Sequence, residues 1–168
     1  MGRVLIISDT HFLRLNEITS FINQFNDLDA ILHCGDIYPG FNTKDLKHVY
    51  ICKGNNDYAP LPRIAYFMVN ETQFMMTHGH LNNFAYNPQS LIDLTKDFPA
   101  DVICFGHTHK PYFYQDDHLT IINPGSLVLS RTYPKVNTYV IYDTDSRKVV
   151  FYDAKTHEEY QVKNEFIK

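Results

Sequence analysis

The stretch VICFGHTH ends in two histidines one residue apart, and RVLIISDTH ends in a second spaced pair, Asp9 and His11. Imidazole is the commonest metal ligand and the usual proton carrier near neutral pH, although a histidine is equally ordinary as a hydrogen-bonded core or surface residue. His107 and His109 therefore gain meaning only from company. Asp36 follows the apolar run in DAILHCG, Asn55 follows VYICKG and His78 follows TQFMMT. Asp9, Asp36, Asn55, His78 and His107 thus each stand one step past an apolar run, and in α/β sheets the carboxyl ends of strands are where sites are built. One Asp or Asn in such a place would be a turn former. A whole series of metal-ligand types needs a shared cause. In extended backbone residues i and i+2 point the same way, so DTH and HTH are each expected to aim two donors into one crevice.

Two carboxylates, an amide oxygen and four imidazoles make a mixed oxygen and nitrogen set without thiolate. That set suits Mn, Fe, Co, Ni or Zn and is too rich in nitrogen for a typical Mg or Ca site. Asp9, His11, Asp36, Asn55, His78, His107 and His109 are too many donors for one transition ion and suit two ions sharing a carboxylate. His80, separated from His78 by Gly79, is open between ligand, substrate contact, proton donor and surface residue. Asp57 reads as a supporting or turn residue, and His33, His48, His118 and His157 read as structural or exposed.

The elements that must position these donors follow from the periodicity. RVLIIS, DAILHCG, VYICKG, TQFMMT and DVICFG read as buried strands. Leu15, Ile18, Ile22 and Phe25 recur at helical spacing and predict a crossover helix with one apolar stripe. Asn87 and Pro88 predict a helix start for PQSLIDLTKDF, with Leu91, Thr95 and Phe98 on one face. PYFYQ, LTIIN, TYVIYD and VVFYD, separated by DDH, NPGS and DTDSRK, read as antiparallel strands and hairpins. NPGS is first a turn signal, and the charged end from His157 to Lys168 reads as a surface element. The expected class is α/β, with helices covering a mixed or two-sheet core.

The chain has 168 residues, the size of one domain, and the expectation is a single domain over 1–168. With 44% hydrophobic and 20% charged residues it is not a disordered composition, and no apolar run approaches the length of a bilayer span. The odd number of scattered cysteines, Cys34, Cys52 and Cys104, fits buried small hydrophobes in a reducing compartment, so a cytoplasmic location is expected. A net charge of −4 without a basic cluster argues against duplex nucleic acid as partner. A small phosphate ester stays compatible with it, because bound cations dominate a local field. A homo-oligomer is compatible with the composition.

Taken in order, DTH, GD, GNND, THGH and GHTH resemble the signature series of the calcineurin-like metallophosphoesterases. The compact size and the NPGS ending resemble their small bacterial and archaeal phosphodiesterase branch. The resemblance spans residues 9 to 126 and implies two packed β-sheets flanked by helices, an αββα sandwich. It also implies that Asp9, His11 and His109 hold one divalent metal, that Asn55, His78 and His107 hold another, and that Asp36 bridges the pair. The implied activity is hydrolysis of small phosphodiesters by in-line attack of a metal-bridging hydroxide, with Mn favoured and Asp36 and His80 as the catalytic candidates. Two divalent ions, two carboxylates and a hydroxide leave a formal charge of about +1, which complements a diester monoanion. Many family members read GNH in the third motif where this chain reads GNND, so Asn56 has no titratable proton to offer a leaving group. The rival reading is a metal-binding interaction scaffold of the same fold, since a retromer subunit is similar to this family. The HGH motif of a metallo-β-lactamase needs a following Asp-His, which HGHLNNF lacks.

Overall fold

A computed structural model describes residues 2–37 and 48–164 of the chain. The segment NTKDLKH, except for its last residue, and the end of the charged tail lie outside the described residues. Among the described residues ten strands form two five-stranded sheets. The first sheet has the order β10-β9-β1-β2-β3, from β1 (Arg3–Ile7), β2 (Ala30–His33), β3 (Val49–Ile51), β9 (Thr138–Asp143) and β10 (Val149–Asp153). The second has the order β4-β5-β6-β8-β7, from β4 (Ile64–Val69), β5 (Thr72–Thr77), β6 (Val102–Cys104), β7 (Pro111–Gln115) and β8 (Thr120–Pro124).

β1, β2 and β3 run parallel, as do β5, β6 and β8, so their carboxyl ends lie at the same end of each sheet. Every proposed donor follows one of these parallel strands. The hairpins expected near the C-terminus form, β7 with β8 and β9 with β10, but they divide between the sheets: β9 crosses over to pair with β1. β4, which pairs antiparallel with β5, was not among the predicted strands.

Three apolar clusters account for the layering. Val4, Ile6 and Leu32 of the first sheet pack between the sheets against Phe74, Met76, Val102 and Ile122 of the second. The opposite faces of the same strands carry Leu5, Ile7 and Ile31 toward the helix α1 (Leu15–Ile22), which contributes Ile18 and Ile22. Phe25, predicted on the helix, lies beyond its end yet packs in the same cluster. Glu17 tightens the first turn, its carboxylate accepting the Arg14 N–H at 2.7 Å. On the far side Met75, Ile103 and Phe105 pack against Leu91 and Ala85.

The covering on that far side differs from the α-helix predicted for PQSLIDLTKDF. Residues Leu81–Tyr86 and Pro88–Lys96 form 3₁₀ turns, and Asn87 makes no side-chain cap bond. Ser, Asp and Thr in this stretch favour local bonds over the longer α ladder. Ser90 Oγ accordingly donates to the Asn87 carbonyl at 2.5 Å, and Thr95 Oγ1 to the Ile92 carbonyl at 2.6 Å. The expected surface tail also contributes inward, because Tyr160 and Val162 pack against the inter-sheet cluster. Among the described residues no helix is long and apolar enough to cross a membrane.

Candidate metal centre

The loops after β1, β2, β5 and β6 bring Asp9, His11, Asp36, His78 and His109 together, all buried to within a few per cent. His11 Nε2 lies 3.0 Å from His109 Nε2 and 3.7 Å from Asp9 Oδ1, and His109 Nε2 lies 3.3 Å from the same oxygen. Asn55 Oδ1 is 3.1 Å from both His78 Nε2 and His107 Nδ1. Asp36 Oδ2 stands between these groups, 3.8 Å from His11 Nε2 and 3.4 Å from His78 Nε2. Asp9 Oδ1 also reaches across, 3.8 Å from His78 Nε2. The donor atoms of Asp9, His11 and His109, and those of Asp9, Asp36 and His78, each lie within 4.8 Å of one another.

The backbone delivering these side chains is not the extended chain that the spacing of DTH and HTH predicts. Asp9, His11, Asp36, His107 and His109 all have left-handed φ, from 39° at His11 to 73° at His107. The corrected picture is that each motif curls, so Asp9 and His11 converge while His107 and His109 part company: His109 joins Asp9, and His107 joins Asn55. Such conformations cost side-chain-bearing residues free energy and concentrate at functional sites.

Hydrogen bonds behind the donors fix which atoms face inward. His78 Nδ1 donates to the Cys34 carbonyl at 2.7 Å, and His109 Nδ1 donates to the Leu129 carbonyl at 2.7 Å. In the neutral ring each Nε2 is therefore a lone pair, yet it faces carboxylate and amide oxygens. Among the described residues Asp9 Oδ1 is buried without a hydrogen-bond partner. Acceptor facing acceptor is unfavourable unless a proton or a cation lies between them. A divalent cation resolves every such pair at once, and the donor set fits one.

Burial alone would raise the Asp9 carboxyl, but His109 and His11 hold it well below the usual carboxylate range. Burial lowers His78, while Asp36 and Asp9 more than offset this and leave it raised. His107, desolvated and close to His78, is pushed down to about 4.

Asp57 and His33 are the supporting residues the sequence suggests, while the roles of Asn56 and the NPGS segment go beyond it. Asp57 accepts three backbone N–H groups, from Asp36 and Ile37 at 2.9 Å and from Gly54 at 2.8 Å, locking the loops after β2 and β3 together. Asn56 is a holder of Asp36: its N–H donates to Oδ1 at 2.9 Å and its carboxamide to Oδ2 at 3.0 Å. His33, read as structural, is fully engaged behind the centre. Its Nδ1 accepts the Gly35 N–H at 3.2 Å, which leaves Nε2 to donate to Thr10 Oγ1 at 2.9 Å. NPGS does more than turn the chain. Asn123 donates to the Gly106 carbonyl and to Thr108 Oγ1, and Ser126 Oγ donates to the Asp9 carbonyl at 2.8 Å. Gly106 is required by close approach, since a Cβ there would lie 2.2 Å from Ser8 Oγ and 2.7 Å from Asp9 Oδ2.

His80 sits half-buried beside the centre, its ring centroid 5.5 Å from that of His78 and 6.1 Å from that of His107. Desolvation and the neighbouring His78 lower its pKa. His118 is exposed, and His157 Nδ1 is hydrogen-bonded with the Tyr139 hydroxyl at 2.7 Å. The three cysteines are free and buried, as expected.

Comparison with known proteins places this geometry in context. The chain is 34% identical over 131 residues to a probable metallophosphoesterase of Methanocaldococcus jannaschii, covering 75% of this chain and 68% of that protein. It is 27% identical over 168 residues to a phosphodiesterase of the same archaeon, covering 87% and 95%. The crystal structure of a predicted phosphoesterase from Streptococcus pneumoniae superposes with a TM-score of 0.83 at 26% identity, covering 95% of this chain and 92% of that one. Residues 3–147 match the calcineurin-like phosphoesterase superfamily domain, and the chain belongs to that superfamily.

Proposed function

We propose that the protein is a phosphodiesterase working with two divalent metal ions. Asp9, His11 and His109 hold one, Asn55, His78 and His107 hold the other, and Asp36 is shared. The observation that carries this reading is the unpartnered, buried Asp9 Oδ1, together with the inward-facing Nε2 lone pairs of His78 and His109. When bound, the ions supply Lewis acidity that activates water and offsets phosphoryl charge. Mn is the favoured metal; Fe, Ni, Co and Zn also match the donors.

The chain's own residues do the positioning. Asp57 and Asn56 aim Asp36, Ser126 and Ser8 hold Asp9, and backbone carbonyls orient His78 and His109. His80 is the proposed proton donor to the leaving oxygen, the role Asn56 cannot fill. A formal charge of about +1 at the loaded centre favours the monoanion of a small diester over more highly charged esters. The complete set of seven donors, none of them replaced, favours catalysis over an interaction scaffold of the same fold, and turnover by metal-loaded protein separates the two. Unpaired, buried cysteines support a reducing, cytoplasmic setting.

Elemental analysis joined to a turnover assay tests the reading. The wild type should carry about two metal ions per chain on the two-metal model and hydrolyse bis(4-nitrophenyl) phosphate. Asp36→Asn should lose metal at both positions, and Asp9→Asn mainly at one. Full metal retention by Asp36→Asn would remove the sharing assignment, and metal-loaded protein inert toward all diesters would remove the activity.

A further inference from the structure

A cation stands unpaired beside the half of the centre built from Asn55, His78 and His107. Arg63 is exposed, and among the described residues its guanidinium makes no hydrogen bond or ion pair. The chain has 19 acidic residues, yet among the described residues none pairs with Arg63.

Two contacts fix where its backbone lies. β4 begins at Ile64, which pairs with Thr77, so the antiparallel register continued by one residue sets Arg63 opposite His78. On the other side the Lys53 N–H donates to the Pro62 carbonyl at 2.8 Å. That bond ties the residue before Arg63 to the loop that delivers Asn55 two positions later. Pro60 and Pro62 stiffen the approach, because each ring fixes φ and reduces the freedom lost in holding the segment. The guanidinium acts on the crevice as well. His80 is lowered first by desolvation and by His78, and it also feels the positive charge of Arg63. A free guanidinium in such a place is a planar fork for carboxylate or phosphate oxygens.

We propose that Arg63 is a specificity residue that selects phosphodiesters carrying a second anionic group on an ester arm. The assignment rests on the phosphodiesterase reading above. The diester monoanion answers the formal charge of about +1 at the loaded centre, which leaves Arg63 as a further cation for the ligand to meet. A neutral arm leaves that guanidinium in water. An anionic arm forms a charge-assisted pair with it at the protein rim, where the attraction exceeds its value in bulk water.

The test holds the leaving group constant and changes the charge of the other arm: 2-carbamoylethyl, 2-carboxyethyl or 2-phosphonoethyl esters of 4-nitrophenyl phosphate, with Mn-loaded protein at low salt. Calorimetric binding of 2-carboxyethyl against 2-carbamoylethyl methyl phosphate supplies a readout independent of turnover. Carboxylate and carboxamide have nearly the same shape, so the comparison isolates charge. The wild type should prefer the carboxylate by about three- to tenfold in both kcat/KM and Kd. Arg63→Gln should bring that ratio to about one, while Arg63→Lys, which keeps the charge but loses the fork, should retain part of it. A phosphonate arm favoured over carboxylate identifies a phosphate-type group, and equal preference identifies a general anion site; both support the role of Arg63. Equal affinity for the charged and neutral arms in the wild type, or a preference that survives Arg63→Gln, overturns it. An Arg63-dependent binding preference without any hydrolysis would remove the phosphodiesterase reading and leave the anion site in place.

Discussion

Removing the Asp57 carboxylate should cost the fold and the metal centre together, by an amount that follows from its hydrogen bonds. The residue is 6% exposed; Oδ2 accepts from Asp36 and Gly54 and Oδ1 accepts from Ile37. Asp57→Ala strands three backbone donors, each worth roughly 1–3 kcal/mol when buried and unsatisfied, and water entering the gap recovers part. The expected loss is about 3–6 kcal/mol, a large share of the stability of an ordinary domain. In Asp57→Asn the amide oxygen can keep the two bonds at the Oδ2 position while its NH₂ opposes the Ile37 N–H. That variant should lose only about 1–3 kcal/mol. Urea unfolding followed by far-ultraviolet circular dichroism gives both numbers, with the slope checked for constancy. Because one donor stranded in Asp57→Ala is the Asp36 amide itself, that variant should also bind Mn about 10- to 100-fold more weakly. A loss below about 1 kcal/mol in Asp57→Ala at unchanged slope would refute the reasoning.

Chelation should abolish diester hydrolysis, and Mn or another first-row ion should restore it better than Mg; full recovery with Mg alone would count against the imidazole ligands. Gly106→Ala should displace Ser8 and Asp9, costing about 1–3 kcal/mol in thermal or urea unfolding and lowering metal content, and an unperturbed variant would contradict the close packing. His33→Leu leaves the Gly35 N–H and Thr10 hydroxyl unmatched in the interior and should cost about 2–4 kcal/mol by urea unfolding; a neutral change would make the pair incidental. His80→Ala should slow alkoxide leaving groups far more than nitrophenolate, within the ~10²- to 10⁴-fold span of general acid help, and equal slowing of both would end its role as donor.

The clustering of the candidate donors is legible because their position carries the signal: an apolar run ends and a ligand-type residue follows, which parallel strands convert into a single crevice. The supporting bonds are not. Asp57 reads as a supporting or turn residue, but nothing local says that its partner, and that of Asn56, is Asp36, 20 or 21 positions earlier in the chain. His33 precedes its motif and gave no spacing cue. β4 is hard to read from the sequence because Ile64–Val69 alternates only in part, with exposed Tyr66 and Met68 among apolar neighbours on an edge strand. The stretch from Pro88 has helical periodicity, but periodicity cannot separate α from 3₁₀ when side chains compete for the backbone. The curled DTH and HTH backbones were also invisible, since Asp and His carry no glycine-like marker of a positive φ.

That curl sets the direction in which the sequence would drift if stability alone were selected. A side-chain-bearing residue in the left-handed region is disfavoured by about 1–2 kcal/mol, and glycine escapes the penalty. Asp9, His11, Asp36, His107 and His109 all sit there. A library sorted for heat resistance without metal should therefore lose its donors before its core, with glycine entering first at these loop positions. Sorting in the presence of metal reverses the pressure, because ligand binding to the folded state repays what the backbone gives up. Thermostable versions of this scaffold that still work are thus to be sought under metal-replete selection, with diversity directed to the sheets and withheld from the five curled residues.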